Sequence, residues 1–376
     1  MQSVLGEIEK LRCGAPITID YRNRNRYRLV IHEADGSKTA YYFSVPIYNL
    51  STRKLIDVKF RLSGGTVCAA GSNAVITLSD NIFMENAEGS CLIEFKQKPE
   101  FISAREVSYG NNIIVPTANG IAMKCNIRNA LKTGFVIEAG QPFLSIRAND
   151  KCFALMKEKF RPLVVLSCIG SLDSRDNVIA PAEIEYRKLT DSKYHITISA
   201  TSPLSQYVMI ECNLYENKLL QDTTVDSSSP SSNNAFGSVG FIGNTLMCGE
   251  QWLYSRFDYS RLSEIIDRRI QKMILHMPRL NSSNAELRAF NVSARFCSFG
   301  SNWNNKIAGG APVSDSYSGN GYQSIDITSL LVKSRTRTIV RSEGMILRPK
   351  IKGGGFSVIA TGDSCYAPQI MEVNFR

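Results

Sequence analysis

QDTTVDSSSPSSNNAFGSVGFIG (Gln221–Gly243) sets a polar loop rich in Ser, Asn and Pro against an apolar strand that ends in glycine. The same alternation runs on through WLYSRFDYSRL (Trp252–Leu262), SNWNNK (Ser301–Lys306), YQSIDITSLL (Tyr322–Leu331), GMILRPK (Gly344–Lys350) and FSVIATGDSCYAPQIMEVNF (Phe356–Phe375). Short apolar strands at regular spacing, parted by Gly, Ser, Asn and Pro, are the pattern of a β-sandwich.

Upstream the pattern is also strand. YRLVIHEA (27–34), KTAYYFSVPIYNL (38–50), KLIDVKFRL (54–62), NAVITLS (73–79) and GSCLIEF (89–95) are separated by the turn signals Asp35-Gly36, Ser63-Gly64-Gly65 and Glu88-Gly89. NNIIVPT (111–117), GIAMKCNI (120–127) and GFVIEAGQPFLSIRA (134–148) continue the series. NDKCFALMKEKFRP (149–162) reads as an internal helix, with Asn149 or Asp150 as cap, Phe153, Met156 and Phe160 at helical spacing, and Pro162 as stop. Residues 1–14 read as a short amphipathic helix, with Val4, Leu5, Ile8 and Leu11 on one side and Gly14 ending it. The expected fold is therefore all-β, a multidomain, jelly-roll-like β-sandwich with few short helices. It divides into an arm (1–14), an N-terminal β domain (15–150), a helix plus small β connector (151–220) and a C-terminal sandwich (221–376).

A chain of 376 residues exceeds one ordinary core. Its 43% hydrophobic and 21% charged content is that of a globular protein, and a formal charge of +10 permits attraction to acidic polymers. The densest basic run, YRNRNRYR (21–28), places Arg22, Arg24, Arg26 and Arg28 on one face if the segment is extended. Only that run and KSRTRTIVR (333–341) speak for nucleic acid, and neither carries a known motif, so nucleic acid is not an expected partner. The ten cysteines show no zinc spacing, and several sit in apolar surroundings, such as Cys168 in LVVLSCIG and Cys91 in SCLIEF, so buried reduced thiols are expected. MQSVLGEIEKL lacks the apolar core of a signal peptide, and no apolar stretch is long enough to span a membrane. The expectation is synthesis in the cytoplasm without a signal peptide and work on a particle or on a cell or spore exterior.

Five pieces of the C-terminal region, in order, resemble the DNRLRE family, which is related to disaggregatase domains and to a class of polysaccharide-binding modules. They are the Asp-x-x-Val, Pro and Gly-ending opening at 221–243; Arg256, Phe257, Asp258, Ser260 and Leu262; Trp303, Asn304 and Asn305; Asp326, Thr328 and Leu330; and Pro368, Ile370, Val373 and Phe375. Tyr259 and the long 309–321 loop depart from the pattern. The resemblance implies a β-sandwich used for polysaccharide attachment or as a structural module, and does not imply catalysis.

Sugar recognition needs aromatic faces beside amides and carboxylates. The candidates are Trp252 and Tyr254, Trp303 with Asn302, Asn304 and Asn305, Tyr317 and Tyr322, and Tyr366 beside Asp363, of which Trp303, Asn305, Tyr317, Tyr322, Asp363 and Tyr366 are the expected binding residues. Asp222, Asp226 and Asp258 fit no calcium-loop spacing and read as turn caps. His32, His195 and His276 stand apart in strand-like settings, and no hydrolase, P-loop or dinucleotide motif is present. No catalytic residue, metal or cofactor is expected. The expected function is that of a non-enzymatic structural or adhesive protein of an assembled surface such as a phage particle, spore surface or filament. Its partners would be copies of itself or other particle proteins, and polysaccharide. The alternatives are a soluble monomeric carbohydrate-binding protein and a polysaccharide-degrading enzyme with its site in the N-terminal half.

Overall fold

A computed structural model describes residues 3–49, 52–127, 130–214, 220–245, 249–257, 270–283, 285–292, 294, 296–333, 338–340, 344–351, 353 and 355–376. The chain is all-β, with four large antiparallel sheets, one short two-stranded ribbon (Leu331–Lys333 with Thr338–Val340) and a single α-helix among the described residues. No helix there is long and apolar enough to cross a membrane.

The chain forms two compact units, and their limits differ from the expected 15–150, 151–220 and 221–376. The first is essentially residues 49–217; the second joins 5–48 to 218–235 and 239–376. The reason is strand pairing. Arg28–His32 pairs with Lys38–Phe43, which pairs in turn with the last strand, Ile370–Phe375, so the start of the chain completes a sheet begun by its end. The supposed connector is equally integral to its own unit, because Arg161–Leu172 and Tyr207–Leu214 are adjacent central strands.

In the 49–217 unit a nine-stranded sheet runs Ser145–Ala148, Cys152–Glu158, Arg161–Leu172, Tyr207–Leu214, Gly120–Asn126, Asn112–Pro116, Glu106–Tyr109, Glu100–Ser103, with Val178–Ala180 beside Arg161–Leu172. An eight-stranded sheet runs Ala182–Lys188, Lys193–Ala200, Lys132–Ala139, Gly89–Glu94, Asn81–Asn86, Val75–Leu78, Thr66–Ala70, Lys59–Ser63. Alternation at period two decides which face is buried. Phe135, Ile137, Ala139, Tyr194, Ile196 and Ile198 point inward from one sheet, and Val208, Ile210, Cys212 and Leu214 from the other, into one shared core. Each fully buried side chain of this kind contributes about 1.5–3 kcal/mol.

The expected helix at 149–162 is a strand, Cys152–Glu158, between Ser145–Ala148 and Arg161–Leu172. Phe153 and Leu155, two apart, both enter the core, whereas Phe160 is 50% exposed in the following turn. Asn149 does cap, but it caps a turn: its Oδ1 accepts from the Lys151 and Cys152 amides at 2.8 Å. Burial on a sheet thus outweighs the helical spacing of Phe153, Met156 and Phe160.

The second unit also stacks two sheets. The six-stranded one runs Arg28–His32, Lys38–Phe43, Ile370–Phe375, Ile270–Pro278, Tyr322–Asp326, Tyr317–Gly319. The seven-stranded one runs Gly309–Asp315, Leu287–Val292, Met345–Pro349, Gly249–Phe257, Val239–Thr245, Phe356–Ala360, with Leu220–Asp226 paired to Gly249–Phe257. Met273, Leu275, Met371 and Val373 face Leu253, Leu287, Leu347 and Ile359 in their common core.

The expected N-terminal helix forms over Val4–Leu11 and buries Val4 and Ile8, one turn apart. Cys13 (φ 52°) and Gly14 (φ 81°) turn left-handed, and the Gly14 amide reaches back to the Glu9 carbonyl, which ends the helix. The helix docks within its own unit: Tyr322 Oη donates to Glu7 Oε2 (2.5 Å), Asn320 Nδ2 to the Lys10 carbonyl (2.8 Å), and Arg12 grips Glu33 at 2.6 and 3.0 Å.

Candidate functional site

The residues expected to form a binding face do not converge. Trp303 lies against the outer face of the seven-stranded sheet, half-buried, its ring 5.2 Å from that of Trp252. Lys306 Nζ stands 4.1 Å from the Trp303 centroid and Arg348 4.7 Å from that of Trp252, so cations already occupy these ring faces. Asn305 and Asn302 lock a turn. Asn302 Oδ1 accepts from the Asn304 and Asn305 amides, and Asn305 returns bonds to the Asn302 amide (2.7 Å) and the Gly300 carbonyl (2.9 Å). Asn304 reaches Ser231 Oγ at 3.2 Å, and Tyr254 Oη donates to the Ile307 carbonyl.

Tyr317 and Tyr322 belong to the other sheet of that unit. Tyr322 is 3% exposed, its hydroxyl committed to Glu7, and burial followed by that carboxylate's charge pushes its pKa far up. It is closed to a ligand, because in the Tyr322–Asp326 strand its side chain falls beneath the helix. Tyr317 is 49% exposed on the edge strand, and Asp363 and Tyr366 are half-buried in the turn before the last strand.

The expected arginine stripe, Arg22, Arg24, Arg26 and Arg28 on one face, does not form. The chain forms a short 3₁₀ turn at Tyr21–Asn23, capped by Asp20, and the first strand begins only at Arg28. Arg22 is exposed. Arg24 lies over the Tyr21 and Tyr48 rings at 5.5 Å each, and Arg26 is half-buried, its pKa drawn down by burial. Arg28 is buried, donating to the Asn23 carbonyl (2.9 Å) and to Tyr42 Oη (3.3 Å). Part of the 333–341 run, and Asp258, Ser260 and Leu262, lie outside the described residues.

Asp222 accepts from the Gly362 amide, and Asp226 from the Ser228 amide and hydroxyl and from Gln251. Among the described residues no group of three or more His, Cys, Asp or Glu is placed to hold a metal ion. His276 lies between Ser324 Oγ (2.8 Å from Nδ1) and Glu372 Oε2 (3.2 Å from Nε2). Ser324 and His276 face each other across paired strands, and both are buried, so this serine–histidine–glutamate row leaves no space for an acyl substrate.

A half-open cleft of about 870 Å³ lies in the 49–217 unit. Register builds its floor: Phe83 opposes Leu92, and Leu92 opposes Glu138, so the three stand in one row across neighbouring strands. The Gly140–Phe143 turn and the Lys188–Tyr194 hairpin raise its walls. Gln141 clamps the first wall by accepting from the Ser90 amide (2.9 Å) and donating to the Glu88 carbonyl (3.0 Å). That approach requires glycine at 89, where φ is 156° and a Cβ would strike the Gln141 amide. Phe143 and Tyr194 pack 6.0 Å apart behind it.

Both carboxylates of the cleft are paired. Lys193 bridges Glu138 (3.1 Å) and Glu94 (2.6 Å), and Lys188 holds Asp191 at 2.7 Å, keeping its pKa below the ordinary carboxylate range. Sequence reading missed the cleft because GFVIEAGQPFLSIRA read as one strand. The breakers Gly140 and Pro142 within it were the available signal.

No family model matches the chain, and no curated protein matches it.

Proposed function

We propose that the protein is a non-enzymatic structural and adhesive protein of an assembled surface, and that it takes polysaccharide in the cleft of the 49–217 unit. The observation that carries this reading is the cleft's lining. Phe83 and Leu92 offer an apolar floor for a sugar face, and Gln141, Glu138 and Asp191 offer amide and carboxylate groups for hydroxyls. Hydrolysis of a glycosidic bond needs one carboxyl kept protonated as an acid. With Glu138 and Asp191 each paired to a lysine, the lining favours holding a glycan over cutting it.

Self-association is supported by an open edge. Glu100–Ser103 ends the nine-stranded sheet with Phe101 43% and Ile102 52% exposed, and the turn after it accepts the Phe60 amide at the Ala104 carbonyl (2.8 Å), from the edge strand that carries exposed Leu62. An apolar edge of this kind is a template for pairing with another chain.

Glycan-array screening followed by calorimetry on the full chain tests the binding half. A bound polysaccharide whose affinity falls roughly 3- to 10-fold in Phe83→Ala is the expected result. Retention of no glycan, or affinity unmoved by Phe83→Ala and Gln141→Ala, overturns it. Negative-stain microscopy tests assembly: rings, tubes or fibres are expected, and single particles at all concentrations reject it in favour of a soluble monomeric carbohydrate-binding protein.

A further inference from the structure

Two thiols meet inside the 49–217 unit from opposite sheets. Cys91 points inward from Gly89–Glu94 of the eight-stranded sheet, and Cys212 points inward from Tyr207–Leu214 of the nine-stranded one. Neither has exposed surface, and the two thiols share a hydrogen bond. Their strands approach within 8 Å, Cα to Cα, whereas stacked sheets usually stand about 10 Å apart. The two sheets approach this closely along several facing strands, and at this one the backbones come near the separation a disulfide spans.

We propose that Cys91 and Cys212 form a latent inter-sheet disulfide that closes when the protein meets a small-molecule disulfide such as oxidised glutathione. Cys91 borders the cleft, but its thiol faces the core with no exposed surface, so the oxidant reaches it only when the strand opens locally. The Cys91 thiolate attacks one sulfur of the small disulfide and expels the other as a free thiol. Deprotonated Cys212 then attacks the Cys91 sulfur of the mixed disulfide and expels the second small thiol. Two protein thiols lose two hydrogens, and one small disulfide becomes two thiols. The hydrogen bond from Cys212, with burial, pushes the Cys91 thiol up, so the first step is slow in a reducing compartment and waits for local opening. The same core holds Cys125, pushed up to about 12 by burial alone, and Cys168, raised by burial. Cys168 has the Cys152 and Cys125 thiols near enough to interact, so these three are the competing thiols that the mapping must separate from the Cys91–Cys212 pair.

The bond would close a long loop and staple the two sheets where only side-chain packing now joins them. For a protein made in a reducing cytosol and working outside it, the staple would harden the unit after release.

The test is to equilibrate the full-length protein in glutathione buffers of rising oxidised fraction, quench with acid, digest without reductant and map linked peptides by mass spectrometry. The expected result is one linked pair, Cys91 with Cys212, lighter than the two separate peptides by two hydrogens. The thermal midpoint should rise by roughly 5–10 °C and fall back on adding reductant. Cys212→Ala removes both effects and Cys125→Ala neither. Wild-type mapping decides the matter alone if a variant folds poorly. Cys91 and Cys212 both still alkylatable at equilibrium, or linkages scattered among Cys125, Cys152 and Cys168, would overturn the proposal.

Discussion

The two units solve the same problem, a pair of stacked antiparallel sheets, yet finish their outer faces differently. In the second unit a segment of the chain packs on part of each outer face. The Val4–Leu11 helix ties down beside Tyr322, and Phe296, Trp303 and Ile307 pack over Trp252 and Tyr254. In the 49–217 unit the outer row Phe83–Leu92–Glu138 faces a half-open cleft, and the Glu100–Ser103 edge carries exposed apolar side chains. The difference teaches that an aromatic residue is open to a ligand only where no other part of the chain claims its face. Both tryptophans are claimed, and Phe83 is not.

The largest test of this division is to cut the chain by it. Residues 49–217 expressed alone should give a cooperative unfolding transition and dispersed amide resonances. Residues 15–150 should give neither, because they lack the central strands Arg161–Leu172 and Tyr207–Leu214 and carry a hairpin whose partner is Ile370–Phe375. A folded 15–150 fragment would break the comparison outright.

Next in size is the segment at 149–162. As a strand it sends Phe153 into the core, where Phe153 packs 5.5 Å from Tyr194 and 5.1 Å from Tyr186. Phe153→Ala should cost about 3–5 kcal/mol by chemical denaturation, whereas exposed Phe160→Ala should stay within about 0.5 kcal/mol. Equal losses at both would restore the helical spacing.

A smaller effect separates the units by pH. Asp20, in the second unit, accepts from Lys38 Nζ (2.6 Å), Asn23 Nδ2 (2.7 Å) and the Arg22 amide (3.1 Å). Burial alone would raise its pKa, but these donors outweigh burial and hold the carboxyl far below the ordinary value. A depressed folded pKa contributes stability that is complete above the unfolded value, about 3.9, and is lost as pH falls through the folded one. Asp20→Asn should therefore destabilise by about 1–3 kcal/mol at pH 7, with the deficit narrowing below about pH 4. A deficit constant from pH 7 to pH 2 would show that the charge is not the cause.

Sequence alone carried the class of the fold. Period-two alternation in KYHITISA and GFVIEAG is the alternation seen, and Gly14 ends the helix that Val4 and Ile8 define. It did not carry the pairing of Lys38–Phe43 with Ile370–Phe375, because nothing local at either strand records a partner more than 300 residues away. It misjudged Tyr322 for the same reason: an aromatic in an alternating strand looks alike whether solvent or a distant helix lies above it. The cleft residues gave a faint signal, Gly140 and Pro142 breaking an apolar run, but their meeting with Phe83 and Lys188 depends on strand order.

The smallest effect is the sharpest discriminator between the two outer faces. Trp303→Phe shortens the stack of Trp303 on Trp252 and weakens the contact with Lys306, which should lower stability by about 1 kcal/mol and leave glycan affinity unchanged. Phe83→Ala, at a side chain already partly in solvent, should leave stability within about 0.5 kcal/mol and weaken binding. Measuring denaturation midpoints and glycan affinity on both variants gives four numbers with a crossed pattern. If Trp303→Phe is the variant that loses affinity, the glycan displaces Lys306 from the ring, the covered face is the functional one, and the cleft is incidental to it.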